Sequence, residues 1–528
     1  MTKKSNIALV ILLVLSAVFC IINFWLITPV KTNTNILARF DSPDETANYF
    51  WAKNYAQTGQ LKITEPLNSI AKNQIHPRSF NVMADGSLVP GTFLGLIILF
   101  GLMAKIFGLG IIIYLTPILA VFGILAFYGI IKKVFNPEIG FVSAVVLIFH
   151  PVWWYYSVIS LYPNIAFVSL ALIGIYFLLT AEKKYWWLVL LGGLSLGLAL
   201  TIRMSEAIWL LFIVAVVLFC RKEKLNTLVI LPFAVIGLAM VVALLFNQQL
   251  YGSWLVTGYN QLHLSTSTCQ TCQIFGGLFL PFGFHPLLAL KNFWHYFVSL
   301  SWWLMAFGLI GFGVWLAKLK KIQTSELVFV LVSIVVGAFL SLYYGSLVYS
   351  DTIIQRFNLI GLSYVRYWLP LFILVIPFVA IGLIWLGQRL GRRLKNYVIV
   401  LFLIILLYQS ASLVVFLGDD SLNAMRKRIA SYKEISAQVT SLTQPNAIIV
   451  TVRQDKVFFP DRKVIHTFEP LLQNQELMGI LPALVGVVPV YYFSPEVIRN
   501  QTANGIKLNQ VAVINSSVLY RLDKAEAN

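Results

Sequence analysis

The sequence predicts an all-α polytopic membrane protein of about eleven transmembrane helices, N-terminus inside and C-terminus outside, with a small C-terminal α/β domain outside the membrane. Three observations carry this. The chain is 59% hydrophobic and 11% charged, with mean hydropathy +0.81, against about 25% charged residues in soluble domains. Apolar runs of about 20 residues recur, the length that crosses about 30 Å of hydrocarbon. Short basic clusters separate them: Lys3-Lys4, Lys132-Lys133, Lys183-Lys184, Arg221-Lys222, Lys320-Lys321 and Arg392-Arg393. These read as cytoplasmic loops by the positive-inside rule. The net charge of +18 thus belongs to loops and is no nucleic-acid signal. A transmembrane barrel is excluded, because its signal is alternation over about 10 residues.

Span 1 covers about Ile7–Ile27 and lacks a small-residue cleavage site, so it reads as an uncleaved anchor. A long polar outer loop follows, about 28–89. Pro90–Phe107 is apolar but short and interrupted by Lys105. Were it a full span, Lys132-Lys133 and every later basic cluster would fall outside, so it reads as a juxtamembrane helix dipping into the outer face. Spans 2 to 6 are about Ile111–Ile131, Ile139–Ser157, Ile165–Thr180, Trp186–Thr201 and Ala207–Cys220. Span 7, Leu228–Phe246, opens a long outer loop. Spans 8 to 11 are about Tyr296–Leu316, Leu327–Tyr343, Tyr367–Leu386 and Val398–Phe416. An odd number of spans puts the C-terminus outside. The expected division is a transmembrane catalytic domain at 1–417 and an extracytoplasmic α/β domain at 418–528. In the latter, Asp419–Leu442 reads as an amphipathic helix. Ala447–Val452, Lys463–Thr467, Val487–Phe493 and Val511–Ile514 are β-branched runs bounded by turn residues.

Carboxylates are scarce, 21 in 528 residues, yet Asp41, Asp44 and Glu45 fall within five positions of the first outer loop. Ser42-Pro43-Asp44-Glu45 fits a helix start: Ser42 as N-cap, Pro43 as first helical residue, Glu45 closing a capping box. Ala47, Phe50, Trp51, Asn54 and Tyr55 then share one face, with aromatics suited to the membrane interface. Capping needs Glu45 but neither Asp44 nor Asp41. A carboxylate at a helix N-terminus is favoured in its charged form and is able to take a proton from a hydroxyl nucleophile. A pair of carboxylates is alternatively able to hold a divalent cation with water and phosphate, with Asp41, Asp44 and Glu45 as candidate ligands. Cys269 and Cys272 form a Cys-x-x-Cys near His263 and His285. Their loose spacing favours a local disulfide or free thiols over zinc.

Asp44-Glu45 followed by an aromatic helix ending at Gly59 resembles the GT-C superfamily of glycosyltransferases. The nearer resemblance is to its protein-O-mannosyltransferase and lipid A aminoarabinose transferase branch. Pro90-Gly91 before an apolar segment ending Ile106-Phe107-Gly108 is similar to that branch's juxtamembrane helix. Gly197-Leu198-Ala199-Leu200-Thr201-Ile202-Arg203 resembles its Gly-Leu-Ala…Thr-Arg signature. Tyr364-Val365-Arg366-Tyr367-Trp368-Leu369-Pro370 resembles its Arg-Tyr…Leu-Pro run. Asn247…Tyr251-Gly252-Ser253…Thr257-Gly258-Tyr259 is similar to a loop of prokaryotic members. The motifs keep the family's order over about 1–420. The chain departs from the family in the second outer loop, where Ser160-Leu161-Tyr162-Pro163-Asn164 carries no carboxylate. That tells against a metal site shared by two loops.

The resemblance implies a multi-pass enzyme of the plasma membrane with its active site on the extracytoplasmic side. It would move a sugar from a polyprenyl-phosphate donor to a hydroxyl or amine of a glycan, lipid or protein acceptor, with inversion. Asp44 would be the general base, with Asp41 or Glu45 assisting. The leaving phosphate calls for arginine, whose planar fork suits phosphate oxygens. Arg203 and Arg366 are the first candidates, Arg78 and Arg356 the next, and Tyr162 or Asn164 would position substrate. The alternative reading of Arg203 is a side chain snorkelling to the outer headgroups, and Glu206, three positions on, is spaced to pair with it. Two other functions fit the composition: a transporter or flippase of lipid-linked glycans, and an inactive envelope assembly protein. Few charges within the spans and no evident repeat favour surface chemistry over transport.

Overall fold

A computed structural model of the chain describes residues 3–27, 40–220, 230–259, 281–318, 322–348, 360–361, 363–391, 393–498 and 502–525. Arg356, Cys269, Cys272 and His263 lie outside these residues. The chain forms two compact units that interleave along the sequence. One comprises Met1–Ile27, Ile113–Ala243 and Thr266–Ala424; the other comprises Thr28–Ile112, Leu244–Ser265 and Met425–Asn528.

The first unit is helical. Among the described residues, eight helices are long and apolar enough to cross a membrane, and two further helix pairs are bent. Pro137–Phe149 and Pro151–Val158 meet at 54°. The bend sits at His150, whose ψ of 123° is the extended value that a following proline imposes. This pair is expected span 3. Expected spans 5 and 6 are Trp187–Ile202 and Ala207–Phe219, bent by 118°. At 16 and 13 residues the arms rise about 24 and 20 Å, each short of about 30 Å of hydrocarbon. Each arm alone is short for a span, and the bent pair has the length and apolarity of a broken span or a re-entrant hairpin. The second arm turns back toward the side from which the first came.

Glycines set how closely these helices approach. A Cβ on Gly192 would stand 3.2 Å from the carbonyl of Gly174, and one on Gly197 would stand 2.7 Å from the Cβ of Ala239. Small residues thus let Trp187–Ile202 lie close to both Pro163–Thr180 and the helix beginning at Ile230. This packing fixes the hairpin whose tip is Arg203.

The second unit is an α/β assembly built around helix Pro43–Thr58. Strands β1 (Phe80–Val82) and β2 (Leu88–Pro90) pair antiparallel, with Asn81 opposite Val89. Helix Leu94–Phe107 follows; its 14 residues rise about 21 Å, too short to cross, as the dipping segment requires. The C-terminal strands are β3 (Ile448–Val452), β4 (Lys463–Thr467), β5 (Val490–Ser494), β6 (Thr502–Ala503), β7 (Ile506–Ile514) and β8 (Ser517–Lys524). Their order is β4-β3-β5-β8-β7-β6, with β3 parallel to β4 and β5 and the rest antiparallel.

Side-chain alternation gives this sheet two buried faces. Ile449, Tyr491, Phe493 and Leu519 share a core with Trp51, Phe80 and Val89. Ile448, Val450, Tyr492 and Tyr520 share another with Leu477, Leu481 and Leu484 of helix Gln475–Val485. The first outer loop even extends the sheet, since His76 bridges in parallel to Ile465 of β4. Trp51 is fully buried, its ring 5.0 Å from Phe80 and 5.4 Å from Phe50. This corrects the expectation of an interfacial aromatic face: the rings fill a protein core.

The loop after Ile230–Tyr251 docks on the start of helix Leu94–Phe107. Tyr251 donates its hydroxyl to the Pro90 carbonyl at 2.8 Å, and Asn81 donates its side-chain amide to the Gly258 carbonyl at 2.7 Å. A Cβ at Gly258 would collide with the Thr92 nitrogen and stand 2.7 Å from the Pro90 oxygen. These are backbone atoms that have no rotamer to change. Gly258→Ala is expected to cost about 1–3 kcal/mol, the range for overpacking. The check is a lowered thermal midpoint in detergent, beside Gly237→Ala, which meets open space and is expected to hold its midpoint.

Candidate functional site

The helix start in the second unit forms as its residues require. Ser42 is the N-cap, its Oγ accepting from the Asp44 N–H at 3.2 Å, with Pro43 first in the helix. The Glu45 carboxyl accepts from the Ser42 backbone N–H, completing the capping box. The helix ends at Gly59, which takes φ 72° and donates to the Tyr55 carbonyl at 2.9 Å.

The three acidic residues then diverge in chemistry. Asp41 is ion-paired. Arg428 brings Nη2 to 2.6 Å of Oδ2 and Nε to 3.2 Å of both oxygens, and Tyr432 donates its hydroxyl at 3.2 Å. Lys456 lies 3.6 Å from Oδ1 and donates to the Asp41 backbone carbonyl. Burial pushes the Asp41 carboxyl up, but the Arg428 hydrogen bond and the Lys456 and Arg428 charges outweigh it and hold the group below its ordinary range. Glu45 is 4% exposed. Burial and the nearby Asp41 charge push it up to about 8, against partial offsets from the Ser42 N–H and Lys456. Asp44 is partly exposed, and Ser79 donates its hydroxyl to Asp44 Oδ1 at 2.6 Å.

The sign of the Glu45 contribution follows from linkage. The folded chain keeps this proton up to about 8, whereas the unfolded chain releases it near the ordinary glutamate value of about 4.3. The contribution to stability is full below that ordinary value and is lost as pH rises through about 8. Between pH 6 and 9 the wild-type thermal midpoint is expected to fall relative to Glu45→Gln. Parallel midpoint profiles for the two proteins would contradict it.

Arg78 is committed to the protein. Its backbone N–H and Nε donate to Asp455 at 2.8 and 2.7 Å, and its guanidinium donates to the Arg453 carbonyl. The donor set here does not fit a divalent cation. Asp41 is occupied by Arg428 and Lys456, Glu45 is protonated at neutral pH, and among the described residues no three His, Cys, Asp or Glu side chains come together.

In the first unit, Arg203 sits at the hairpin break and is 5% exposed, buried rather than snorkelling. Its Nε donates to Glu206 Oε1 at 2.8 Å and its Nη2 to the Tyr344 hydroxyl at 2.8 Å. Trp209 donates its indole N–H to the other Glu206 oxygen at 2.6 Å, and Tyr344 donates to Glu206 as well. Arg366, also 5% exposed, lies over the Tyr162 ring at 4.1 Å. Asn164 donates to the Arg366 backbone carbonyl at 3.3 Å. Tyr367 joins the two arginines, with Arg203 5.1 Å and Arg366 5.3 Å from its ring centroid. Stacking on aromatic faces holds a guanidinium plane in one orientation. Arg203, Arg366, Tyr162 and Asn164, separated in sequence, thus form one cluster.

The residues missed from sequence are Ser79, Arg428, Tyr432, Asp455 and Lys456 in one unit, and Tyr344 and Trp209 in the other. Tyr367 was within reach, since it stands inside the Arg366-Tyr367 motif. Arg428 and Asp41 are 387 positions apart, and no local pattern connects them.

Residues 94–246 match the family model described as dolichyl-phosphate-mannose-protein mannosyltransferase. No curated protein matches the sequence. Among solved structures, ArnT from Cupriavidus metallidurans, bound to undecaprenyl phosphate, aligns at 11% identity and TM-score 0.50, covering 97% of each chain. The archaeal oligosaccharyltransferase AglB from Archaeoglobus fulgidus, with an inhibitory peptide and a dolichol-phosphate, aligns at 13% identity and TM-score 0.52. That alignment covers 92% of this chain and 69% of AglB. At such identities the likeness is one of fold. The fold is GT-C-like, with a small C-terminal sheet domain, and the resemblance read from the motifs is borne out.

Proposed function

We propose that this chain is a membrane glycosyltransferase that takes a sugar from a polyprenyl-phosphate donor and places it on a hydroxyl or amine acceptor outside the membrane. The observation that carries the reading is the differentiated acidic cluster. Asp41 is neutralised by Arg428, Glu45 holds its proton at neutral pH, and Asp44 remains partly exposed at a helix N-terminus. A single carboxylate placed to accept a proton is what a one-step displacement without a glycosyl-enzyme intermediate needs. In that step the acceptor oxygen or nitrogen attacks the anomeric carbon, and its proton passes to Asp44. The bond from that carbon to the phosphate oxygen breaks, and its electron pair leaves with polyprenyl phosphate. The configuration inverts.

The donor class is supported by the fold, since ArnT and AglB carry that fold and were solved with undecaprenyl phosphate and dolichol-phosphate. Arg366, stacked on Tyr162, and Arg203 are the proposed holders of donor phosphate. Asn164 is proposed to keep the Arg366 backbone in place. Arg78 is proposed to act through Asp455 rather than on phosphate. No metal takes part in the proposed step. The test is a donor panel: purified protein is incubated with polyprenyl-phosphate sugars and with nucleotide sugars. Release of polyprenyl phosphate is the expected result. Turnover of nucleotide sugars alone would overturn the donor class.

A further inference from the structure

We propose that Ser79 is a positioning residue for Asp44, held in place by Asp455, the first residue of the short helix Asp455–Phe458 that follows strand β3. The inference rests on Asp44 being the base and deepens that reading. Ser79 has φ 63°, the left-handed region that residues with a side chain seldom occupy and that costs free energy. The surroundings hold it there from both sides. Behind it, Gly91 donates its N–H to the Ser79 carbonyl at 3.0 Å. A Cβ on Gly91 would stand 2.7 Å from that carbonyl oxygen, so only glycine allows the contact. Ahead of it, Arg78 is gripped at its backbone N–H and at Nε by the two Asp455 oxygens. Asp455 is fully buried, and Arg453 just before it also has positive φ, 56°.

The product of these constraints is one contact: the Ser79 hydroxyl donating to Asp44 Oδ1 at 2.6 Å. A donor at that distance to a carboxylate is a short, charge-assisted bond, and it fixes the rotation of the carboxylate plane. General-base efficiency depends on that orientation. The C-terminal sheet thereby gains a role in the reaction without offering a catalytic residue. A path of bonded groups runs from the short helix after β3 through Asp455, Arg78 and Ser79 to Asp44.

Glycine accepts positive φ freely, so Ser79→Gly removes the hydroxyl and relieves the backbone. The expected result is kcat reduced about tenfold, the effect of losing a hydrogen bond to a charged group, with donor KM unchanged and thermal midpoint not lowered. Ser79→Ala is expected to lose the same factor in kcat. Asp455→Asn, with Ser79 intact, is expected to lower kcat in the same direction. Wild-type kcat in Ser79→Gly would overturn the proposal. So would a loss of activity that tracks a lowered midpoint, or failure of both Ser79 variants to fold, since either assigns the serine a structural role. Asp44→Asn is measured alongside. An inactive Asp44→Asn with a wild-type Ser79→Gly refutes positioning and leaves the base intact, whereas an active Asp44→Asn refutes the base and positioning together.

Discussion

Asp44→Asn is expected to lower transfer by about 10²–10⁴-fold, the contribution of a positioned general base, while donor binding and folding persist. The magnitude rests on the absence of a substitute nearby. Asp41 is bound by Arg428 and Tyr432, and removing it from that pair would expose a half-buried arginine. Glu45 is protonated at neutral pH and engaged with the Ser42 N–H. Asparagine keeps the shape of the side chain and still accepts from Ser79, so the helix start is preserved. The comparison is therefore of chemistry and not of folding. Initial rates of transfer, with donor binding measured on the same preparations, check it. A residual rate above a tenth of wild type would remove Asp44 from the role.

Glu206→Ala is expected to be the most damaging substitution for stability. Glu206 is 3% exposed and accepts from Arg203, Trp209 and Tyr344. Without it a guanidinium remains buried without its counter-ion, and an indole N–H and a hydroxyl lose their acceptor. Breaking a buried pair by removing one partner costs about 3–5 kcal/mol. Removing both charges is far milder, because an apolar pair of similar volume also escapes desolvation. Glu206→Ala is thus expected to lose most of its monodisperse fraction on heating in detergent. The double variant Arg203→Met with Glu206→Leu is expected to recover much of it. Equal losses in the single and double variants would show that the ion pair is not what holds the hairpin tip.

Much of this architecture was legible because it is local. Apolar runs of span length name their own helices, and the eleven expected spans all fall on described apolar helices, span 3 on one bent pair and spans 5 and 6 on the two arms of another. The dipping segment was decided by charge and is supported by its 14-residue length. The capping box at Ser42 was readable from four residues, since every partner lies within one turn. Strands β3 and β4 fall where β-branched runs predicted them. The 118° bend between the two short arms around Arg203 was not legible, because composition reports apolarity and not the angle between neighbours. The site was legible only in part. Asp41, Asp44 and Glu45 stood out by scarcity, but Asp41 is held low by Arg428 and Lys456, 387 and 415 positions away, and Glu45 is pushed up first by burial, which no local pattern reveals. Trp51 was assigned to the membrane interface because nothing in its own helix reveals that Phe80 and the C-terminal sheet bury it.

The decisive experiment is the release of polyprenyl phosphate, followed over time in detergent, by wild type and Asp44→Asn on whichever lipid-linked sugar the donor panel identifies, with acceptor present. Release by wild type, with the Asp44→Asn rate at least a hundredfold lower and its donor affinity retained, is the predicted result. Equal rates from the two proteins would contradict the assignment of Asp44 as base, and no release from any lipid-linked donor by folded, donor-bound wild type would contradict the transferase itself.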